Sequence, residues 1–160
     1  MTDSENRVDC LTHRQYMEFA LIEAKKAFKA DEVPVGAVLV DGQGNILSAN
    51  YNQPIFLHDP TAHAEILVLR NAGQKIQNYR FLNTTLYVTV EPCLMCMGAI
   101  IHARVGHVVF GASDPKWGAA GSLFEFQTDL RLNHRPRITK GVCEEDCRKL
   151  MKDFFNQKRK

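Results

Sequence analysis

The most constraining feature of this sequence is a junction. The run Thr85 to Val90, in which Leu86, Val88 and Val90 alternate, stops at Glu91-Pro92 and passes at once into Cys93-Leu94-Met95-Cys96. Alternation at period two predicts a strand, and Pro92 at a first helical position predicts a helix starting there and running to about His102. Cysteines at i and i+3 then share one helix face. In the first turn the positive end of the helix dipole favours their thiolates. A chain built around this junction presents two sulfur ligands at the end of a strand.

A second junction lies upstream. Asp59 can cap a helix with Pro60 at its first position, running to about Arg70 and carrying His63-Ala64-Glu65. Around these two junctions the other elements fall into place. Thr12 to Gln15 reads as a capping box with Leu11 and Tyr16 as its hydrophobic staple. Met17, Leu21, Ala24 and Phe28 then recur at helical spacing to about Lys29. Val35 to Val40 and Ile46 to Asn50 flank the turn residues Asp41 to Asn45 and predict a hairpin. Tyr51 to Asp59 reads as irregular. Val105 to Phe110 predicts a further strand, and Gly111 to Pro136 a long segment with at most one helical turn. Glu144 to Phe155 predicts a closing helix, acidic in its first turn. Helices alternating with strands imply an α/β fold, a mixed sheet with helices on both faces. Sites in such sheets form where strands end and helices begin.

At 160 residues the chain reads as a single domain, 1–160, with residues 1–10 expected to be poorly ordered. No apolar run approaches the ~20 residues of a membrane-spanning helix, so no membrane association is expected. Met1 to Arg7 lacks the basic and apolar regions of a signal peptide, and the expected compartment is the cytoplasm. Five cysteines, an odd number, fit metal or thiol chemistry better than a paired disulfide framework.

Together His63, Cys93 and Cys96 supply one imidazole and two thiols. A catalytic zinc usually takes three protein ligands and leaves its fourth position to water, whose pKa falls to about 7. These three residues meet that need and no more. Glu65, close by but unnecessary as a ligand, is the candidate proton shuttle. The pattern H-x-E…P-C-x-x-C is that of zinc-dependent nucleobase deaminases. A structural zinc would want a fourth protein ligand, for which Cys143 and Cys147 are available, but their i, i+4 spacing fits the buried face of the last helix and core is preferred for both. Cys10 reads as an incidental thiol.

Other residues receive plainer readings. His102 and His107 are expected as surface or satisfied structural groups. His58 sits in the loop feeding His63 and could line the site. Trp117 is either a lid packing on the core or a stacking platform for a base. Met95 and Met97 read as core filler. Net charge is only +2, yet Arg131 to Lys140 holds four basic residues and no acid, and the chain ends Lys158-Arg159-Lys160. These basic stretches are either solvated surface or contacts for a phosphate backbone.

From about Tyr16 to Phe155 the sequence resembles the bacterial tRNA-specific adenosine deaminases, members of the cytidine and deoxycytidylate deaminase superfamily, which convert the wobble adenosine of an anticodon to inosine. The resemblance is carried by Val33 to Val40 (VPVGAVLV), Asn52, His58 to Leu67 (HDPTAHAEIL) and Leu86 to Cys96 (LYVTVEPCLMC). Gly118 to Ser122, Leu132 to Arg135 and Asp153-Phe154-Phe155 point to the tRNA branch. It implies a three-layer α/β/α fold, a five-stranded mixed sheet flanked by helices, and one zinc per subunit with a bound water or hydroxide. By resemblance His63, Cys93 and Cys96 bind the zinc and Glu65 is catalytic. Asn52 holds the target base, Asp114 contacts the neighbouring nucleotide, and Phe155 lies in the helix lining the anticodon-loop groove. The implied partners are the tRNA anticodon stem-loop and a second subunit in a homodimer. Trp117 and Met97 depart from the family, which usually has a small residue and Ala at these places. The nearest rival is a deaminase of a free base or nucleoside, such as guanine or cytosine, sharing the same four residues. A nucleic-acid-binding module with structural zinc and a non-catalytic partner subunit are more distant rivals, disfavoured by the three-ligand set and the intact Glu65.

Overall fold

A computed structural model describes the backbone of residues 3–159 and the side chains of residues 13–159. The elements are α1 (Asp3–Lys29), β1 (Gly36–Val40), β2 (Ile46–Tyr51), α2 (Pro54–Leu57), α3 (Ala64–Ile76), β3 (Thr85–Val90), α4 (Leu94–His102), β4 (His107–Ala112), a 3-10 turn at Phe126–Thr128, β5 (Arg137–Lys140) and α5 (Glu144–Lys158). The sheet order is β2-β1-β3-β4-β5. β1 is antiparallel to both its neighbours, and β3, β4 and β5 run parallel. The mixed five-stranded sheet flanked by helices is therefore present.

Alternation along the strands explains the layers. Ala37, Leu39, Leu86, Val88, Val108 and Phe110 join Val68, Ala72, Met97 and Ile100 of α3 and α4 in one core. Val38, Val40, Tyr87 and Val109 join Met17, Ala20 and Leu21 of α1 and Cys147 of α5 in the other. The central strands β1, β3 and β4 are buried almost throughout, as strands covered on both faces must be. Helix α1 approaches β1 so closely that a Cβ on Gly36 would strike the Ala20 carbonyl and the Ala24 amide.

Several boundaries differ from the sequence reading. The first helix starts at Asp3, so Thr12 lies inside it rather than at its start, and Asp3 to Cys10 is helical backbone. Met1 and Thr2, the side chain of Cys10 and the Leu11 half of the expected staple lie outside the described residues. β4 begins at His107, because Arg104 turns through the left-handed region (φ 62°) and the Gly106 amide donates to the Thr84 carbonyl. β5 and α2 have no counterpart in the reading of the residues, although the resemblance implies a fifth strand. The single helical turn expected within Gly111 to Pro136 is the one at Phe126–Thr128. Lys158 pairs with Asp31 at 2.5 Å, and Phe154 meets Phe28 edge-on, so the basic end of α5 is partly tied to the end of α1. Among the described residues no helix is long and apolar enough to cross a membrane.

Candidate metal centre and active site

The site forms where β2 and β3 hand over to α3 and α4. At the end of β2, the Asn52 amide donates to the Val35 carbonyl and the Gln53 amide to the Ala62 carbonyl, both at 3.0 Å, which fixes the approach to His63. The helix expected from Asp59 does not start there. The Asp59 carboxylate instead accepts the Thr61 amide at 2.8 Å and the Thr61 hydroxyl at 2.7 Å, closing a local turn that competes with helix. α3 starts at Ala64, with His63 as its N-cap in extended conformation. An N-cap imidazole that makes no cap hydrogen bond leaves the first amides of the helix unserved. Asn52 supplies one acceptor from outside: its carboxamide oxygen takes the Ala64 amide at 2.8 Å.

The second junction repeats this design. Cys93 is the extended N-cap of α4 and Cys96 its third residue, so Pro92 precedes the helix rather than opening it. His63 Nδ1 lies 3.6 Å from Cys93 Sγ and 3.5 Å from Cys96 Sγ. The three ligand atoms all fall within 4.8 Å of one another, and among the described residues no other three His, Cys or acidic side chains gather so. Tetrahedral zinc at ordinary Zn–S and Zn–N lengths sets sulfur and nitrogen about 3.5 Å apart. The donor set and its spacing therefore fit zinc.

The electrostatics of the protein atoms alone point the same way. The Cys93 thiol is held down to about 4, first by the Cys96 thiol beside it and also by His63. The Cys96 thiol is pushed well up by the same contact and by burial, and His63 is raised by its hydrogen bond to Cys93. One thiolate thus gathers the protons of its two neighbours, which a dication would replace. Glu65, second residue of α3, is 3 % exposed, and burial pushes its carboxyl up. That is the direction a proton shuttle near neutral pH requires.

The other sequence-predicted residues are distributed as follows. Asn52 is buried, one residue's reach from the start of α3, and Asp114 lies beyond β4 in the loop facing the Cys93 junction. The Asp114 Oδ1 accepts the Lys116 and Trp117 amides at 3.0 and 3.2 Å, and Gly118 bridges to Cys93. Trp117 is 62 % exposed, so it does not pack on the core. Phe155 is half-exposed on α5 against Phe154. Met97 is fully buried, as core filler should be, and Met95 partly so. Cys147 is buried against α1, which pushes its thiol up to about 12, and neither it nor Cys143 joins the ligand group. His58 ends α2 in the left-handed region and is exposed. His102 is at the surface, and His107 is a satisfied structural group bonded to Thr139 at 2.7 Å.

Sequence reasoning missed two buried acids. Glu32, 2 % exposed, accepts the Ile55 and Phe56 amides at 3.1 and 3.0 Å and so caps α2. Glu91, 4 % exposed, takes four donors from the Asp114–Ser122 loop. The available signal for Glu91 is an acid directly after the alternating Thr85–Val90 strand and before Pro92-Cys93. A surface cleft of about 940 Å³ lies elsewhere, between the outer faces of α3 and α4, with Ile66, Leu69, Tyr79 and His102 on its walls.

Residues 11–112 match the model of the cytidine and deoxycytidylate deaminase zinc-binding region. The chain is 53 % identical to a tRNA-specific adenosine deaminase of Haemophilus influenzae over 143 residues, covering 89 % of this chain and 83 % of that protein. It is 44 % identical to the tRNA-specific adenosine deaminase of Bacillus subtilis, covering 91 % and 89 %. A solved structure from studies of A-to-I editing by tRNA:A34 deaminases at the wobble position of transfer RNA superposes with a TM-score of 0.82 at 41 % identity, over 85 % of this chain and 98 % of that one. With its three-ligand cluster at two helix starts, its sheet order and these likenesses, the chain belongs to the cytidine and deoxycytidylate deaminase family, in the branch of the tRNA-specific adenosine deaminases.

Proposed function

We propose that this chain, acting as a single deaminase domain, converts adenosine to inosine at the wobble position of tRNA anticodons. The observation that carries the reading is the convergence of His63, Cys93 and Cys96 with buried Glu65 beside them. His63 Nδ1 and the thiolates of Cys93 and Cys96 would hold zinc, one per subunit. When bound, zinc would supply Lewis-acid activation that makes a water nucleophilic at neutral pH. Glu65 is placed to take a proton from the attacking water as that water adds to C6 of adenine, and to return it to N1. The second water proton leaves with the amino group as ammonia, and C6 is left as the carbonyl of inosine. The raised proton affinity of Glu65 suits both transfers.

The substrate side follows from the same frame. Asn52 has its carboxamide oxygen taken by Ala64, which leaves its amide N–H groups to hold the target base. Asp114 spends Oδ1 on its own loop and offers Oδ2 to the neighbouring nucleotide. Phe155, half-exposed on α5, lines the groove for the loop. An anticodon loop presents its bases unpaired, so extruding one costs less than pulling it from a duplex. The homodimer is supported by the cleft between α3 and α4, where Tyr79 and nearby Leu82 stand 71 % and 67 % exposed. Cytoplasmic residence accords with a tRNA substrate.

The deciding experiment gives purified protein an anticodon stem-loop with a wobble adenosine and reads inosine by mass spectrometry. Free adenosine, adenine, cytosine and guanine run in parallel. Inosine in the stem-loop alone is the expected result. Turnover of a free base with the stem-loop untouched would keep the zinc chemistry and overturn the substrate.

A further inference from the structure

The loop from Asp114 to Ser122 faces the metal junction yet contains no helix or named strand. One side chain outside it holds both its ends. Glu91 Oε1 accepts the Asp114 amide at 3.1 Å and the Ser122 hydroxyl at 2.5 Å. Its Oε2 accepts the Ala120 and Ser122 amides at 3.0 and 3.1 Å. Among the described residues Glu91 has no ion-pair partner, so loop donors alone compensate its burial. The clamp leaves no spare room: a Cβ on Gly118 would strike the Glu91 carboxylate and the Asp114 carbonyl. Pro92 and Cys93, next in sequence, complete the seam, through the Ala119 amide on the Pro92 carbonyl at 2.8 Å and the Gly118 bridge.

We infer that Glu91 is a positioning residue for substrate: it fixes the Asp114–Trp117 rim beside the metal site and thereby governs engagement of the RNA, apart from proton transfer. The inference rests on the deaminase reading above and deepens it. Its chemistry is specific. Both oxygens of Glu91 receive donors, so the isosteric Glu91→Gln must turn an NH₂ toward one pair. On the Oε2 side that NH₂ would meet two backbone amides, neither able to accept. On the Oε1 side the Ser122 hydroxyl can rotate to accept, and only the Asp114 amide loses its partner. The substitution thus frees the Asp114 end of the loop while the rest stays tied.

The test uses zinc-loaded protein and two readouts. Trp117 is the sole tryptophan of the chain and lies in the clamped loop, so its fluorescence reports the rim directly. In Glu91→Gln, acrylamide quenching of Trp117 should rise, zinc should stay at one per chain, KM for the anticodon stem-loop should increase about tenfold, the worth of one buried hydrogen bond, and kcat should change less than about threefold. Ser122→Ala, at an exposed position that should not endanger folding, removes one donor and should shift quenching and KM in the same direction by less; it decides the matter if Glu91→Gln does not fold. Unchanged Trp117 quenching, loss of zinc, or a fall in kcat at constant KM would each overturn the inference. Should the wild-type chain leave the stem-loop unedited, the tRNA reading fails, and the quenching arm still decides whether Glu91 holds the rim.

Discussion

Protonating His107 should destabilise the fold in a defined pH window. Its ring is 9 % exposed and lies between β4 and β5. Nε2 donates to the Thr139 hydroxyl at 2.7 Å, and Nδ1 must accept, since the group facing it at 3.5 Å is Arg137 Nη2, which can only donate. The ring of His13 on α1 meets it edge-on at 5.4 Å. Burial, then Arg137, then His13 lower the imidazole from 6.5 to about 4. Because the folded value lies below the unfolded one, the unfolded chain binds the extra proton between them. The stabilisation is therefore complete above about 6.5 and is lost as pH falls toward 4. At pH 5 the linkage relation gives a loss of about 2 kcal/mol relative to pH 7.5. The assay is urea unfolding at both pH values for the wild type and for His107→Gln, whose amide can replace the Nε2 donor and does not titrate. Carboxylates contribute equally to both proteins, so the variant should lose about 2 kcal/mol less than the wild type across this interval. Equal losses would refute the argument and place the pH sensitivity of the fold elsewhere.

Glu65→Ala should bind zinc as the wild type does and lose turnover by about 10² to 10⁴, checked by metal analysis alongside inosine formation; near wild-type rates would remove Glu65 from proton transfer. Chelation should lower the melting temperature, and zinc at about a hundredfold excess over its dissociation constant should restore about 2.7 kcal/mol, read by calorimetry. A melting curve indifferent to chelator would refute a metal held by His63, Cys93 and Cys96. Arg135 and Arg131 should differ in RNA binding, because Arg131 is already paired with Asp129 at 2.7 Å while, among the described residues, the exposed Arg135 makes no ion pair. Arg135→Ala should reduce the slope of log affinity against log salt by about 1, and Arg131→Ala by less, measured by titrating the stem-loop at several salt concentrations. Equal slopes in both variants would return this stretch to solvated surface.

The sequence by itself determined the elements whose signals are local. The alternation of Leu86, Val88 and Val90, the Pro92-Cys93 junction and the acidic first turn of α5 each act within a few residues, and each element is present. The clustering of His63, Cys93 and Cys96 is legible for the same reason: all three stand at helix starts, where backbone geometry aims side chains toward a common point. Where local signals competed, the sequence misled. Asp59-Pro60 offers a good helix start, but the Asp59 carboxylate bonds its own turn, and the helix waits for Ala64. Arg137-Ile138-Thr139-Lys140 reads as a basic patch because its strand character lies in pairing with β4, some 30 residues away, and only Ile138 reaches the core. The tertiary structure alone decided the buried polar groups. Asn52, Glu32 and Glu91 serve amides 12 to 31 residues distant, at a helix start, a short helix and a loop that cannot satisfy their own donors. A buried acceptor is defined by the donors that fold around it, and those donors are neighbours in space before they are neighbours in sequence.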